Sequence, residues 1–373
     1  MHVKNLTLHN FRDYTDLDFT PGQGMNILFG RNAQGKTSLL EGIYILATSR
    51  SWRAGRDVEM IRWETEITRV WADITRDEQN DIEIEITFGR SEKKRVSVNT
   101  VRRSRLSDFL GQVNVVLIEP HDVDIVRGEP SGRRRFLNLE ISQIQPQYCH
   151  LMANYRRILE QRNQLLKDLQ QRRASAAILE VLNEQLVSCG ASIIERRLAF
   201  LSKIKETGKR LHGEITEGEE KLDIRYTSSI GIDEGDIRAL EIASKFRDVL
   251  DKRRDEEIRR GVTLVGPQRD DLVFTVNGVD ARIYGSQGQQ RTIALSLRLA
   301  ELDVMEESAG EPPVVLLDDV MTDLDEGRRR HVFGLTNGRC QTLITAASRQ
   351  SFDPEFLSAG KIYRVEKGSV TEE

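Results

Sequence analysis

The sequence predicts an α/β fold in which mixed sheets surround a central helix, with a second lobe that is mostly helical. Three observations predict it. A glycine-rich loop at Gly30–Thr37 lies between an apolar strand, Met25–Phe29, and an apolar helix that follows at once. A second aliphatic run, Val314–Leu317, ends in two acids near the other end of the chain. Between them, residues 147–213 are rich in helix-forming residues and contain no proline.

The size and charge of the chain narrow the class of protein. With 373 residues it is long enough for a large core divided between two lobes. The formal net charge of −4 gives no overall attraction to nucleic acid, so any DNA contact requires a local basic surface. Charged residues of both signs make up 31% of the chain, which is typical of a water-exposed surface.

The cellular setting is indicated by the cysteines and the apolar runs. Cys149, Cys189 and Cys340 are odd in number and far apart, as expected in a reducing compartment, and there is no Cys-x-x-Cys metal pair. No uninterrupted apolar run approaches the roughly 20 residues of a membrane helix. The N-terminus, Met1–Leu6, has the pattern of a strand and not of a signal peptide. These features predict a cytoplasmic protein without a membrane segment.

The first part of the chain alternates apolar and polar residues with the period of a strand. The clearest case is Ile82–Phe88, in which every second residue is apolar. We therefore expect a buried helix at Ser38–Leu46 and strands at Val3–Leu8, Leu17–Phe19, Met25–Phe29, Thr68–Ile74, Ile82–Phe88 and Arg95–Val98. The last three of these strands are expected to be antiparallel.

The middle of the chain predicts helices that pack on one another. Apolar residues recur there at spacings of three and four and form a seam for a partner helix: Leu179, Leu182, Leu186, Cys189 and Ile193. The seam shifts to another face near Gly190, which argues against a long regular coiled coil. A short helical hairpin or bundle is therefore predicted.

The last third of the chain returns to strands. A helix is predicted at 237–260, followed by strands at Val262–Val265 and Leu272–Val276 and by a hairpin turn at Asn277-Gly278. The changes of character place an expected head lobe at residues 1–120 and 262–373. The expected helical insertion lobe comprises residues 121–261.

The loop Gly30–Thr37 matches the phosphate-loop pattern Gly-x-x-x-x-Gly-Lys-Thr without a mismatch. Its glycines allow backbone N–H groups to point at phosphate oxygens, Lys36 can reach the β and γ phosphates of ATP, and the Thr37 hydroxyl can ligate Mg²⁺. The alternative is a glycine-rich turn that binds nothing. The candidate nucleotide-binding residues are Gly30, Arg31, Asn32, Ala33, Gln34, Gly35, Lys36, Thr37 and Ser38, with Lys36 also a catalytic candidate.

The acidic end of the Val314–Leu317 strand supplies the second part of a nucleotide site. Carboxylates at the C-terminal end of a central parallel strand lie where ligands bind in open α/β sheets. Asp318 is therefore the candidate Mg²⁺ ligand, and Asp319 the candidate catalytic residue that orients or deprotonates the attacking water. The alternative is a solvated turn. Since aspartate is one methylene shorter than glutamate, hydrolysis is expected to be slow.

The segment Ser286-Gln287-Gly288-Gln289 precedes an apolar helix and offers a hydroxyl and open N–H groups at a helix start. Ser286, Gly288 and Gln289 are the candidate phosphate-binding residues of this segment. One γ phosphate hardly needs two such loops from one chain, so the economical geometry is a head-to-tail homodimer in which this loop covers ATP held by the other copy. The alternative is an ordinary helix cap.

Together these motifs resemble the RecF family of bacterial recombination-repair ATPases, which are related to ABC-type and SMC-type heads. The most specific matches are Ser286–Arg291 and Gly266–Leu272, and the others include Asn10–Tyr14, Ser49–Arg53, Gly132–Leu137 and Leu316–Asp325. The resemblance implies an ABC-type P-loop ATPase head that uses ATP and Mg²⁺, dimerises on ATP and has weak DNA-dependent ATPase activity. It also implies that Arg12 lies against the nucleotide, unless it is a surface arginine that ends a strand.

The resemblance further implies a role in DNA repair and in maintaining replication forks. It predicts binding to duplex DNA and to single-strand/duplex junctions without sequence preference, and cooperation with the RecR and RecO proteins in loading RecA on gapped DNA. Nucleoid association in the cytoplasm follows from this role. Two departures from the expected pattern stand out: Gln268 replaces a histidine, and Leu343–Ala346 occupies the region where transporter ATPases carry a switch histidine.

Three basic clusters are candidates for DNA contact: Arg102–Arg105, Arg133–Arg135 and Arg253-Arg254. Each is also consistent with an ordinary solvated surface. Asp325 is a candidate partner contact, or else a helix cap. His121 and the other histidines show no ligand spacing and are interpreted as structural.

Three other classes of protein share a phosphate loop. An SMC-type tether needs a far longer coiled coil than the roughly 65 helical residues present here. A membrane-transporter subunit is disfavoured by the missing histidine and by the helical insertion. A small-molecule kinase would not require the Ser286 segment.

Overall fold

The structure is a computed structural model and describes residues 1–76, 79–104, 108–173, 177–232, 238–352 and 354–373. The chain divides into two compact units. Unit 1 comprises Met1–Val123, Glu214–Glu217 and Ala294–Glu373, and unit 2 comprises Asp124–Gly213 and Gly218–Ile293. The sequence analysis assigned residues 262–293 to the head lobe, whereas the chain contacts group them with unit 2.

Unit 1 contains an antiparallel sheet of six strands in the order β2-β1-β4-β5-β6-β7. Its strands are β1 (His2–Phe11), β2 (Tyr14–Phe19), β4 (Ile67–Arg76), β5 (Gln79–Gly89), β6 (Arg95–Val98) and β7 (Val101–Arg103). The alternation predicted at Ile82–Phe88 is present, since its apolar side chains are buried. The strands expected in this region are therefore confirmed.

The second sheet of unit 1 positions the candidate site. Its order is β15-β14-β3-β13-β12-β8, and all strands except β15 run parallel. The strands are β3 (Met25–Phe29), β8 (Val115–Ile118), β12 (Val314–Asp318), β13 (Thr342–Ala346), β14 (Gly360–Glu366) and β15 (Ser369–Glu372). Because β3, β13 and β12 are parallel neighbours, the segments that follow them meet at one edge of the sheet.

Helix α1 (Lys36–Thr48) packs against strands of both sheets, including β1 and β4 on one side and β13 and β12 on the other. All of its residues except Thr37 are buried, which explains why its second half, Gly42–Ala47, carries no charged side chain. This is the predicted central helix. Two shorter helices of unit 1 are α8 (Glu326–Thr336) and α9 (Pro354–Ala359).

Unit 2 is mostly helical. Its helices are α2 (Asp124–Arg127), α3 (Pro130–Ile144), α4 (Pro146–Gln170), α5 (Ala177–Ile215, up to Gly213) and α6 (Ala239–Arg260), and α7 (Gln287–Ala309) begins in it. The predicted seam residue Leu179 is fully buried against Leu165 and Leu166 of α4, with Ile258 of α6 alongside. The predicted short bundle is therefore present. The helix predicted at 237–260 corresponds to α6, and its first predicted residue, 237, lies outside the described residues.

A three-stranded antiparallel sheet completes unit 2, with the order β11-β10-β9. Its strands are β9 (Leu222–Thr227), β10 (Asp271–Val276) and β11 (Val279–Asp280). The predicted Asn277-Gly278 turn is confirmed: φ is 51° and 81° at the two residues, as a two-residue turn of type I′ requires.

The prediction of a strand at Val262–Val265 is wrong. This segment is a loop, and two of its backbone donors bond to side chains of neighbouring helices. Thr263 N donates to Asn163 Oδ1 at 2.8 Å, and Leu264 N donates to Glu257 Oε1 at 2.7 Å. Because these donors already have partners, the segment needs no strand ladder.

One helix of the described chain, α5, is long and apolar enough to cross a bilayer by length and composition alone. About 44% of its apolar window is buried inside the protein. A core helix passes the same test, so this single helix is weak evidence for a membrane span.

Candidate nucleotide-binding site

Two glycines of the phosphate loop are required by the backbone around them. Gly35 has φ of 107°, and a Cβ there would lie 2.8 Å from the Tyr14 hydroxyl, which itself donates to Gly35 O at 3.1 Å. A Cβ on Gly30 would lie 2.2 Å from Val365 O of β14. The loop is therefore held between Tyr14 and β14 at a distance that only glycine allows.

Lys36, the first residue of α1, points back into the loop. Its Nζ donates to Gly30 O at 2.8 Å and to Arg31 O at 3.0 Å, and the side chain is buried. Burial lowers the pKa of Lys36, and the carboxylates of Asp319 and Asp318 oppose that shift. The ammonium group thus lies among loop carbonyls and close to two acids, as a phosphate-binding lysine requires.

Thr37, Asp318 and Thr345 form a chain of hydrogen bonds across the edge of the parallel sheet. Thr37 Oγ1 and Thr345 Oγ1 each donate to Asp318 Oδ1 at 2.8 Å. Asp319 N in turn donates to Thr345 Oγ1 at 3.0 Å. Burial raises the pKa of Asp318, and the two threonine hydrogen bonds oppose the shift.

A cavity of about 120 Å³ lies over this arrangement, lined by Asp13, Asn32, Ala33, Gly35, Lys36, Thr37, Ser38, Arg53 and Asp319. Asp319 has φ of 52°, so the chain turns sharply after β12 and brings the second acid to the cavity. The predicted Lys36, Thr37, Asp318 and Asp319 thus come together in unit 1.

Arg53 is a site residue that the sequence analysis did not propose. It lines the cavity with Lys36, and its Nη1 lies 3.8 Å from the buried carboxylate of Glu41. Its only signal in the sequence is the family-like run Ser49–Arg53. An arginine here adds a second cation to the phosphate side of the site.

The predicted nucleotide contact Arg12 has other partners in the structure. Its Nε and Nη2 donate to the two oxygens of Glu41 at 2.8 and 2.7 Å, and Nη1 donates to Glu59 O at 2.7 Å. Ser51 also donates to Glu41. Glu41 therefore accepts hydrogen bonds from both Arg12 and Ser51 beside the phosphate loop. A contact between Arg12 and the nucleotide stays a prediction.

The other predicted loop residues divide between two cavities. Asn32, Ala33 and Ser38 line the smaller one, and Ser38 Oγ donates to Asp13 Oδ2 at 3.1 Å. Gly30, Arg31 and Gln34 line a neighbouring cavity of about 770 Å³. Gln34 Oε1 also accepts from Lys367 N at 2.8 Å, which ties the loop to the turn between β14 and β15.

The Ser286 loop (Ser286–Gln290) belongs to unit 2 and starts α7. Ser286 N donates to Gln289 Oε1 at 2.9 Å, and Gln289 N donates to Ser286 Oγ at 3.1 Å. These two bonds form a capping box, so the helix-cap alternative describes a real feature. Ser286 and Gly288 are nevertheless exposed, and Gly288 O accepts from Thr292 Oγ1 at 2.8 Å.

The basic clusters have different environments. Arg133 is buried and pairs through both its Nε and Nη2 with Asp271, at 2.6 and 2.9 Å, so its role is structural. Arg134 donates to Asp270 O at 2.9 Å. Arg253 pairs with Glu256, and Arg105 lies outside the described residues. Asp325, a candidate for either a partner contact or a helix cap, caps α8 by accepting from Arg328 N.

Glu119 is the first residue after β8, and Asp318 is the last residue of the neighbouring strand β12. Burial, with the nearby carboxylates of Asp122 and Asp318, raises the pKa of Glu119 to about 7, and Arg298 and Arg53 oppose the shift. The unfolded chain loses this proton near the ordinary value of 4.5. The stability that the neutral carboxyl contributes is therefore complete below about 4.5 and is lost as pH rises to about 7.

The family described as "RecF/RecN/SMC N terminal domain" matches residues 2–371. A Pediococcus pentosaceus protein described as "DNA replication and repair protein RecF" is 42% identical over 369 residues, covering 99% of this chain and 98% of the relative. The chain belongs to the RecF family. The Bacillus subtilis RecF protein is 38% identical over 371 residues, covering 99% of this chain and all of the relative.

Solved structures agree with this assignment. A RecF structure described as the "recombination mediator protein RecF-ATP in RecFOR pathway" matches with a TM-score of 0.92 at 32% identity, covering all of this chain and 97% of that one. An Smc head bound to a ScpA domain matches with a TM-score of 0.56 at 13% identity, covering all of this chain and 97% of that one, which shows the fold alone. The predicted RecF resemblance and the predicted ABC/SMC-type head fold are both confirmed.

Proposed function

We propose that this RecF-family protein is an ATP-driven DNA clamp in recombinational repair and replication-fork maintenance, with an ATP site shared between two copies. The observation that carries the proposal is that two candidate phosphate-binding loops belong to different units of the chain. Lys36, Thr37, Asp318 and Asp319 converge in unit 1, whereas the exposed helix start at Ser286 belongs to unit 2. A head-to-tail pair gives each phosphate loop a Ser286 loop from the other copy.

The residues of unit 1 supply the first half of the site. Lys36 exchanges its bonds to the loop carbonyls for bonds to the β and γ phosphates. Thr37 and Asp318 would hold Mg²⁺, which would neutralise negative charge on the ATP phosphates. Asp319 accepts a hydrogen bond from the attacking water and orients it, and its short side chain makes hydrolysis slow, so that the ATPase is weak and DNA-dependent.

The donor set fits Mg²⁺. The Thr37 hydroxyl and the Asp318 carboxylate lie 2.8 Å apart, and both are oxygen donors of the kind that Mg²⁺ prefers. Across the described residues, no group of three or more His, Cys, Asp or Glu side chains could hold a metal. Thr37 and Asp318 would hold Mg²⁺, and water and the ATP phosphates are the usual sources of its other ligands.

The Ser286 loop supplies the second half of the site from the other copy. The Ser286 hydroxyl accepts from Gln289 N and can still donate its own proton to a phosphate oxygen. The exposed Gly288 leaves space for the phosphate, and the start of α7 contributes a favourable partial charge. ATP then joins the two copies, and hydrolysis separates them.

The clamp acts on DNA together with other proteins. It binds duplex DNA and single-strand/duplex junctions through phosphate contacts, without sequence preference, because the chain has no recognition-helix or zinc-finger pattern. Similarity to RecF proteins of the RecFOR pathway supports RecR and RecO as partners. The clamp then helps them to load RecA on gapped DNA, in the cytoplasm and at the nucleoid.

Size-exclusion chromatography with light scattering tests the dimer. The wild type is expected to dimerise with ATP and Mg²⁺, and the variants Lys36→Met and Ser286→Arg are expected to stay monomeric. Matched controls are Lys93→Met and Ser91→Arg, which change exposed residues between β5 and β6. A wild-type dimer that is equally strong without nucleotide contradicts the proposal.

Filter binding to gapped DNA with and without ATP tests the clamp. ATP is expected to strengthen binding in the wild type but not in Lys36→Met. A transporter subunit or a small-molecule kinase would show no ATP-dependent DNA binding, and that result would refute the proposed function.

A further inference from the structure

The Gln289 side chain attaches the Ser286 loop to a distant segment of unit 2. Gln289 uses both ends of its amide: Oε1 accepts from Ser286 N at 2.9 Å, and Nε2 donates to Glu220 Oε1 at 3.0 Å. Glu220 lies 69 residues earlier in the chain, just before β9. The amide orientation that caps the Ser286 turn is thus fixed by the Glu220 carboxylate.

The same carboxylate is held from its other side by a buried histidine. His212 Nε2 lies 3.0 Å from Glu220 Oε2, and the His212 side chain is completely buried near the end of α5. Because an ionised carboxylate only accepts hydrogen bonds, the ring nitrogen is the donor in this pair. The end of α5, Glu220 and the Ser286 loop are therefore joined in one continuous hydrogen-bonded chain.

The neighbouring glutamine, Gln290, makes a different contact. Gln290 Nε2 donates to Ala281 O at 2.9 Å and so closes the turn that precedes the loop. This bond holds the turn together locally. The bond from Gln289 to Glu220 instead connects the loop to the segment between α5 and β9.

We propose that Glu220 and His212 are positioning residues for the shared ATP site: they hold Gln289, and through it the Ser286 hydroxyl, in the geometry that meets the other copy's nucleotide. The inference rests on the proposed function, because only a dimer uses the Ser286 loop in this way. Without Glu220 the Gln289 amide keeps only its bond from Ser286 N, so the cap of the Ser286 turn loses the partner that fixes its orientation. A change at the end of α5 then alters ATP-driven dimerisation without touching the phosphate loop.

The test measures two affinities on the same variants. The first is binding of a fluorescent ATP analogue to the monomer, which reports unit 1, and the second is the dimer dissociation constant with a non-hydrolysable ATP. For Glu220→Ala we expect an unchanged first value and a second value weakened by about tenfold or more, since a hydrogen bond to a charged group is lost. Glu219→Ala is the matched control, because Glu219 is exposed and adjacent.

Two further variants separate positioning from a general loss of structure. Glu220→Gln keeps an oxygen that accepts from Gln289, and its amide N–H can donate to His212 Nε2 when the neutral ring takes the other tautomer, so it should dimerise nearly as well as the wild type. Gln289→Ala should weaken the dimer at least as much as Glu220→Ala, because it also removes the bond from Ser286 N, and the double variant should be no weaker than Gln289→Ala, because both substitutions remove the bond between Gln289 and Glu220.

The outcomes are distinguishable. A wild type that does not dimerise with ATP overturns the proposed function itself. A wild type that dimerises while Glu220→Ala dimerises equally well overturns the positioning role alone. The role is also overturned if Glu220→Gln is as weak as Glu220→Ala, or if the effects of Glu220→Ala and Gln289→Ala simply add.

Discussion

Thr345 is the residue whose replacement tests the geometry of the acidic strand end most sharply. Its hydroxyl donates to Asp318 Oδ1 at 2.8 Å and accepts from Asp319 N at 3.0 Å, and the residue is fully buried. Thr345→Val keeps the shape but removes both bonds. Loss of a hydrogen bond to a buried carboxylate, together with an unsatisfied N–H, should lower the free energy of unfolding by about 2–4 kcal/mol.

The same substitution should weaken metal binding. Thr345 fixes the orientation of Asp318, and loss of such a supporting partner typically costs about 10- to 100-fold in metal affinity. Urea unfolding followed by circular dichroism measures the first effect, and Mg²⁺ titration of ATP-analogue binding measures the second. Thr345→Ser is the control, because it retains the hydroxyl and loses only a methyl group, at a cost of roughly 1 kcal/mol.

The reasoning about Thr345 has a clear contrary result. If the valine variant is as stable as the serine variant and binds Mg²⁺ equally well, the hydroxyl does not hold Asp318. The three-residue chain from Thr37 to Thr345 would then have no energetic role.

Three other predictions concern separate parts of the molecule. Glu119→Gln should remove a pH-dependent loss of stability of about 3 kcal/mol between pH 4.5 and 7, so that urea unfolding gives a flatter profile than the wild type. Gly30→Ala should push the phosphate loop away from Val365 O, 2.2 Å from the new Cβ, and abolish ATP-analogue binding while thermal unfolding shows a folded protein. Arg133→Met should lower the free energy of unfolding by about 1.5–3 kcal/mol, because the partly exposed Asp271 loses its charged hydrogen-bond partner, and unchanged DNA affinity of the folded variant would confirm that Arg133 is not a DNA contact.

Local patterns predicted much of the fold. The strands near the phosphate loop follow from the alternation of apolar and polar side chains, which can be read from the sequence. The turn at Asn277-Gly278 follows from backbone conformations that are available mainly to glycine and asparagine. The segment Val262–Val265 has the same apolar character and still forms a loop. Two of its backbone N–H groups donate to the side chains of Asn163 and Glu257, which belong to helices α4 and α6. The apolar pattern of the segment itself does not reveal these bonds.

The site was predictable where a motif carries it and not where partners are distant in sequence. The phosphate loop and Asp318 are motif residues, and the structure brings them together. Thr345 lies in the run Leu343–Ala346, which the sequence marks only by a missing histidine, because its bond to Asp318 depends on the order of parallel strands. Arg133 belongs to an exposed-looking basic run, yet it is buried against Asp271, 138 residues away.

The most direct measurement of the shared ATP site mixes two inactive variants, Lys36→Met and Ser286→Arg. In a mixed head-to-tail pair, the intact phosphate loop of one chain faces the intact Ser286 loop of the other. We predict that the mixture regains ATP-dependent dimers and part of the ATP hydrolysis that neither variant has alone. A mixture that stays monomeric and inactive with ATP, while the wild type dimerises, would contradict a site built from two copies.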